Sequence, residues 1–119
     1  MNCVFCTNPR DAGTLLDEDE RTWVLVHPQG QLMIVAKRHV ENVSDLDLDD
    51  WLHVARVWHR AERELREKTG AERVIVMKLG LQTPHLHVHL YPFSSTETRE
   101  DVFDVIDGRA TPRLTLTRR

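Results

Sequence analysis

The run His85-Leu86-His87-Val88-His89-Leu90-Tyr91 alternates without a break between ring-bearing and aliphatic residues, and this alternation constrains the chain more than any other feature. A period of two belongs to a β-strand, in which successive side chains leave on opposite faces. The three histidines therefore share one face, about 7 Å from one to the next, while Leu86, Val88 and Leu90 share the other. The aliphatic face requires a covering layer. The imidazole face is poor packing material, because each buried neutral ring needs partners for two nitrogens. A row of three predicts chemistry rather than core.

The remaining pattern supplies the cover. Thr22 to Val26 is rich in β-branched and aromatic residues, Pro28-Gln29-Gly30 interrupts it, and Leu32 to Ala36 resumes as an apolar run. Together they predict a β-hairpin whose second strand is covered on both faces. Ser44 with Asp47 three residues later, followed by Asp49 and Asp50, predicts a helix beginning near Asp45. At 100° steps Trp51, Val54, Ala55, Trp58, Ala61 and Leu65 fall on one face, and Gly70 marks a C-terminal cap after Thr69. Arg73 to Leu79 and His85 to Tyr91 add two strands. The expected fold class is α+β, a mainly antiparallel sheet with one long helix packed on the face of Leu86, Val88 and Leu90. Cys3 to Pro9 reads as a turn-forming knuckle and Asp11 to Gly13 as loop, a stretch expected to supply little core. In the polar segment 94–119, Val102, Phe103, Val105 and Ile106 predict a short helix, and residues 111–119 have no predicted placement.

With 119 residues, 40% of them hydrophobic and 29% charged, the expected organisation is one domain over residues 1–119. A formal charge of −3 supplies no field for a long polyanion, so nucleic acid is disfavoured as a partner while a small nucleotide is not. No apolar run has the length needed to span a bilayer. The stretch MNCVFCTNPR lacks a basic region, an apolar core and a cleavage site in sequence, and the expected location is cytoplasmic. In a reducing compartment Cys3 and Cys6 point to metal or redox chemistry sooner than to a structural disulfide.

Two chemistries use a row of imidazoles. An H-x-H pair on a strand binds zinc with a third ligand from elsewhere and an open position for water. Alternatively, a histidine with one nitrogen held as a donor and the other bare attacks phosphorus, splitting a difficult displacement into two steps. The phosphate oxygens then need donors, for which neighbouring imidazoles, Gln82, Thr83 and backbone N–H groups are candidates.

The seven residues His85 to Tyr91 resemble the His-φ-His-φ-His-φ-φ signature of the histidine-triad (HIT) superfamily, nucleotide hydrolases and transferases. The order around them is similar too: Cys3-x-x-Cys6, a hairpin ending in Ala36-Lys37-Arg38-His39-Val40, a long helix, then a strand leading into the triad. The resemblance covers about residues 1–93 and leaves 94–119 as a C-terminal extension. It implies cleavage at the α-phosphate of a small nucleoside-phosphate conjugate, with His87 as nucleophile, its other nitrogen held by a backbone carbonyl, and His89 against the phosphate or leaving group. In the zinc-containing branch a structural Zn²⁺ is held by residues matching Cys3, Cys6, His39 and His85. Such a closed, charge-balanced site would staple the N-terminus to the catalytic strand. The resemblance also implies a homodimer.

The sequence departs from the family pattern at two places. Leu81-Gln82-Thr83-Pro84 is one residue shorter than the family's approach to the triad, and His27 stands where a ribose-contacting Asp is common. The substrate-binding candidates are thus His27, Gln82, Thr83 and His89. Two other readings stay open: a zinc hydrolase with its metal on His85 and His87, and a non-catalytic nucleotide or metal sensor. Trp51 and Trp58 are expected in the core, His53 and His59 in solvent, and Arg109, Arg113, Arg118 and Arg119 in a solvated tail; Trp23 and Leu25 line either core or pocket.

Overall fold

The structure is a computed structural model that describes residues 3–116. A short helix α1 (Val4–Thr7) leads into three strands, β1 (Thr14–Glu18), β2 (Thr22–Val26) and β3 (Leu32–Ala36). The long helix α2 (Leu48–Thr69) crosses to β4 (Arg73–Met77), after which come β5 (His87–Phe93) and helix α3 (Arg99–Ile106). All pairings are antiparallel, and the strand order is β1-β2-β3-β5-β4. The expected α+β class and its antiparallel sheet are the observed ones. β5, the histidine strand, lies between β3 and β4.

The register explains how one strand serves two faces. Trp23, Val35 and His87 are aligned across β2, β3 and β5, as are Leu25, Met33 and His89. The intervening residues Val24, Val26, Leu32, Ile34, Ala36, Val88 and Leu90 turn the other way, and with Leu86 they form the main core against Val54, Val57, Ala61 and Leu65 of α2. The predicted helical stripe is thus rotated slightly: Val57 is in the core, while Trp51 and Trp58 pack at its margin, ring centroids 6.4 Å apart. All five residues of β3 are buried, as a strand covered on both faces requires.

Helix α2 begins three residues later than its spacing suggests. Asp47 is the cap, its side chain accepting from the Asp50 N–H at 2.8 Å, and a 3-10 turn at Val43–Asp45 occupies the expected first turn. At the other end Gly70 has φ +76° and donates to the Arg66 carbonyl, the left-handed cap that glycine adopts without a Cβ penalty.

Three expectations are overturned. β1 is a fifth strand where four were expected; Thr-Leu-Leu-Asp-Glu does not alternate, and its ladder with β2 holds it rather than its own pattern. The N-terminal segment does supply core, since Phe5 and Cys3 join Leu25, Met33 and Val35 in a second cluster. His53, expected in solvent, is half-buried, and its Nε2 lies 2.8 Å from Asp19 Oδ2. The predicted helix at the C-terminal end is α3, which covers Tyr91 and Phe93 through Val105. Arg109 and Arg113 are exposed, as expected, and also pair with acids of that region. Arg118 and Arg119 lie outside the described residues.

Asp19 ties the turn between β1 and β2 to α2. Its Oδ1 accepts from the N–H groups of Arg21 and Thr22 at 2.8 Å each, opposite the His53 contact. Burial pushes the carboxyl up, but the hydrogen bonds outweigh it and hold the pKa at about 2. The folded value lies below the unfolded one, so this stabilisation is present above about pH 4 and is lost as the pH falls toward about 2. Asp19→Ala is expected to lower the unfolding free energy by about 1–3 kcal/mol at neutral pH and to flatten the acid limb of a urea-denaturation series.

Candidate active site and metal centre

The face opposite α2 carries a row of rings. Phe5 caps one end with its centroid 4.9 Å from His87; His87 and His89 are 5.2 Å apart, and His27 lies 6.0 Å beyond His89. Tyr91 stacks on His89 at 5.9 Å. Among the described residues, the only histidine in an ion pair is His53 with Asp19, so no carboxylate compensates charge within this row.

Each ring is set by its surroundings. His87 Nδ1 is 2.6 Å from the His85 carbonyl oxygen. A carbonyl only accepts, so Nδ1 carries the proton and Nε2 is bare. His89 is held neutral, its pKa pushed down to about 4 by burial first and then by the adjacent imidazoles of His87 and His27. Its Nδ1 is buried without a partner. His27 is shifted down by burial, and its Nδ1 accepts from the Gln29 N–H at 3.0 Å.

The first histidine behaves differently because it precedes β5 proper. Here the chain leaves the ladder: the Leu86 N–H donates to the Val40 carbonyl and the Leu86 carbonyl accepts from Ala36. His85 is buried, and its Nε2–H donates to the Ala36 carbonyl oxygen. That bond leaves Nδ1 bare and aimed at Cys3 Sγ, Cys6 Sγ and His39 Nδ1, at 3.4, 3.5 and 3.0 Å. Cys6 Sγ and His39 Nδ1 are 3.0 Å apart, and all four donor atoms lie within 4.8 Å of one another.

A tetrahedral ion with two sulfur and two nitrogen ligands requires S···N and N···N edges of about 3.3–3.6 Å, from bonds of about 2.3 and 2.0–2.1 Å. The observed separations are close to those edges. The hydrogen bond from the His85 ring to the Ala36 backbone carbonyl is also the anchoring that a ligating imidazole requires. The residues present fit a metal ion of the thiolate- and imidazole-binding kind. His87 is not among them, since its Nδ1 is engaged with His85 and its ring faces His89.

The structure brings together Cys3, Cys6, His39 and His85 as one group, and His27, His87 and His89 as another. Gln82 and Thr83 stand apart: Gln82 is exposed, Thr83 is half-buried, and no side-chain hydrogen bond among the described residues joins either to the histidine row. Leu25 is core, wholly buried behind Phe5. Trp23 lies at the margin of that cluster under the Lys37 ammonium, 5.3 Å from its ring centroid. Phe5 and Gln31 were not singled out from the sequence. An aromatic residue between the two cysteines was the one available signal for Phe5.

A sheet with its long helix on one face and a bonded row of imidazoles on the other defines a histidine-triad protein. The chain belongs to the HIT domain family, whose sequence model matches residues 14–95. A HIT-family member from Bacillus subtilis superimposes with a TM-score of 0.69 at 18% identity, over 98% of this chain and 100% of that one. A HIT family hydrolase from Clostridium thermocellum gives 0.63 at 22% identity, over 82% and 96%. A hypothetical histidine triad nucleotide-binding protein from Sulfolobus tokodaii gives 0.68 at 22%, over 80% and 71%. At these identities the likeness is one of fold. No curated protein matches in sequence.

Proposed function

We propose that this chain is a nucleotide hydrolase or nucleotidyltransferase that cleaves at the α-phosphate of a small nucleoside-phosphate conjugate, a dinucleoside polyphosphate or a nucleoside phosphoramidate. The observation that carries this reading is the hydrogen bond from His87 Nδ1 to the His85 carbonyl, which leaves His87 Nε2 bare beside His89. In the first step Nε2 attacks phosphorus, a P–N bond forms, and the bond to the leaving group breaks, its electron pair departing with that group. The Nδ1–H stays on the His85 carbonyl and spreads the positive charge of the phosphorylated ring. His89, neutral at working pH, donates to the phosphoryl oxygens or the departing atom. In the second step water attacks phosphorus, the P–N bond breaks, the nucleoside monophosphate leaves, and His87 regains its bare nitrogen.

Zinc is the ion this reading places on Cys3, Cys6, His39 and His85, where its chemistry is structural: two thiolates and two imidazoles leave no open position for water. The reading carries residues 1–119 as one domain, a cytoplasmic location where thiolates persist, and a homodimer. A second reading, a nucleotide sensor without turnover, draws on the separation of Gln82 and Thr83 from the histidine row.

Early-quenched intact-mass spectrometry with a diadenosine polyphosphate or an adenosine phosphoramidate tests the choice. Wild-type protein is expected to gain one nucleotidyl mass and to release AMP. Binding without adduct or AMP over hours establishes the sensor instead.

A further inference from the structure

The two cysteines of the four-donor cluster are the only two in the chain, and they differ in access. Cys3 is buried among Phe5, Leu25, Met33 and Val35, whereas Cys6 is exposed. They stand one turn apart at α1: the Cys6 N–H donates to the Cys3 carbonyl at 3.1 Å, and the Thr7 N–H and hydroxyl donate to the same oxygen at 3.0 and 2.9 Å. The backbone between them is therefore held while the side chains converge, their sulfurs no more than 4.8 Å apart. A disulfide needs sulfurs about 2.0 Å apart and Cα atoms about 4.4–6.8 Å apart. Residues three apart on a helical turn, with Cα atoms separated by about 5 Å, meet the second condition, so a small rotation of the side chains meets the first.

As ligands of one ion, the same sulfurs stand about 3.7–3.8 Å apart, the edge made by two bonds of about 2.3 Å at a tetrahedral angle. The two arrangements exclude one another, because a sulfur bonded to its neighbour is no longer a thiolate. After disulfide formation His39 and His85 are the only members of the cluster left to bind, too few for a closed site. Phe5 lies between the two cysteines in sequence with its ring against His87, 4.9 Å away. A change in the sulfur pair is thereby delivered to the end of the histidine row, although no residue of the row is oxidised.

We propose that Cys6 is a site of reversible oxidation by hydrogen peroxide and Cys3 its resolving thiol, so that a Cys3–Cys6 disulfide releases the structural ion. The Cys6 thiolate attacks one peroxide oxygen; an S–O bond forms, the O–O bond breaks, and hydroxide leaves with its electron pair, giving a sulfenic acid. The Cys3 thiolate then attacks that sulfur; an S–S bond forms, the S–O bond breaks, and a second hydroxide leaves. Two electrons pass from two thiolates to one peroxide, and both hydroxides take protons from solvent. The order follows access, since Cys6 meets the oxidant while Cys3 lies behind it in the core. No third cysteine diverts the disulfide. The release of an ion rests on the metal reading of this cluster; the disulfide itself is measurable without it.

Zinc-loaded wild-type protein, treated with hydrogen peroxide beside a chromogenic zinc indicator, tests this. One zinc is expected in solution for each chain that loses about 2 Da, the mass of the two thiol hydrogens. Peptide mapping should show Cys3 linked to Cys6 within one chain, and a thiol reductant with added zinc should restore both mass and metal. With dimedone present, the trapped sulfenic acid should fall on Cys6 at least about tenfold more often than on Cys3. Zinc released without a disulfide, a link between chains, dimedone shared equally or found mainly on Cys3, or cysteines that stay reduced while N-acetylcysteine in the same tube is fully oxidised overturns the proposal. Elemental analysis before oxidation reports on the metal reading separately: a reduced protein that binds no zinc yet forms the Cys3–Cys6 disulfide removes the ion and leaves the peroxide-sensitive pair standing.

Discussion

His87→Ala is expected to lower turnover of any accepted nucleotide conjugate by at least about 10³-fold and to abolish the nucleotidyl adduct, with nucleotide affinity kept within about threefold. The size follows from the step removed: without Nε2 there is no covalent intermediate, and water must displace the leaving group directly. The imidazole is half-buried and bonds only the His85 carbonyl through its side chain, so its loss leaves the ladder of β5 intact. A melting curve separates catalytic loss from unfolding. Turnover in His87→Ala within tenfold of wild type would remove covalent catalysis at this residue.

Disabling the metal centre is expected to have the largest effect on stability. The metal-loaded protein should contain one zinc per chain by elemental analysis. Cys3→Ala, or chelation of wild type, should lower the melting temperature by more than about 10 °C, because ion binding at such a site contributes directly to folding free energy. Activity should fall with it through a traceable route. His85 offers Nδ1 to the cluster, gives its Nε2–H to Ala36, and holds His87 with its backbone carbonyl. Once the ion leaves, the Cys3 to Thr7 segment loses its anchor, and Phe5 leaves the ring of His87. Hydrogen exchange should localise the early change to residues 3–13. A Cys3→Ala protein that contains no metal, melts with wild type and turns over normally would end this account.

The features legible in the sequence were those with strong local periodicity. The alternation at residues 85–91 located the histidine face and the core face of one strand, and the 100° spacing located α2, because both patterns are imposed residue by residue. The metal group was legible only through resemblance, since three strands separate Cys3 and Cys6 from His39, and α2 and β4 lie between His39 and His85. What stayed hidden depends on contacts between distant segments. β1 carries no alternation and exists because β2 offers it an edge. Phe5 is core because its segment packs against Leu25 and Met33 of distant strands. The departure of His85 from the ladder follows from hydrogen bonds to Ala36 and Val40, and no local pattern announces it. His27 meets His89 only through the register of three strands.

The division of β5 between two faces also bears on how such a site can change over generations. From His87 to Phe93 the side chains are divided between the α2 core and the ring row with its aromatic extension under α3, so the strand has almost no residue free to vary. The segments that frame the row are different: residues 3–13, the turn at 27–31 and the chain after α3 touch the rings or their supports while contributing little to the ladder. Substrate range is therefore free to drift in the frame while the strand is inherited unchanged, and new specificities in chains of this design should be sought first in those three segments.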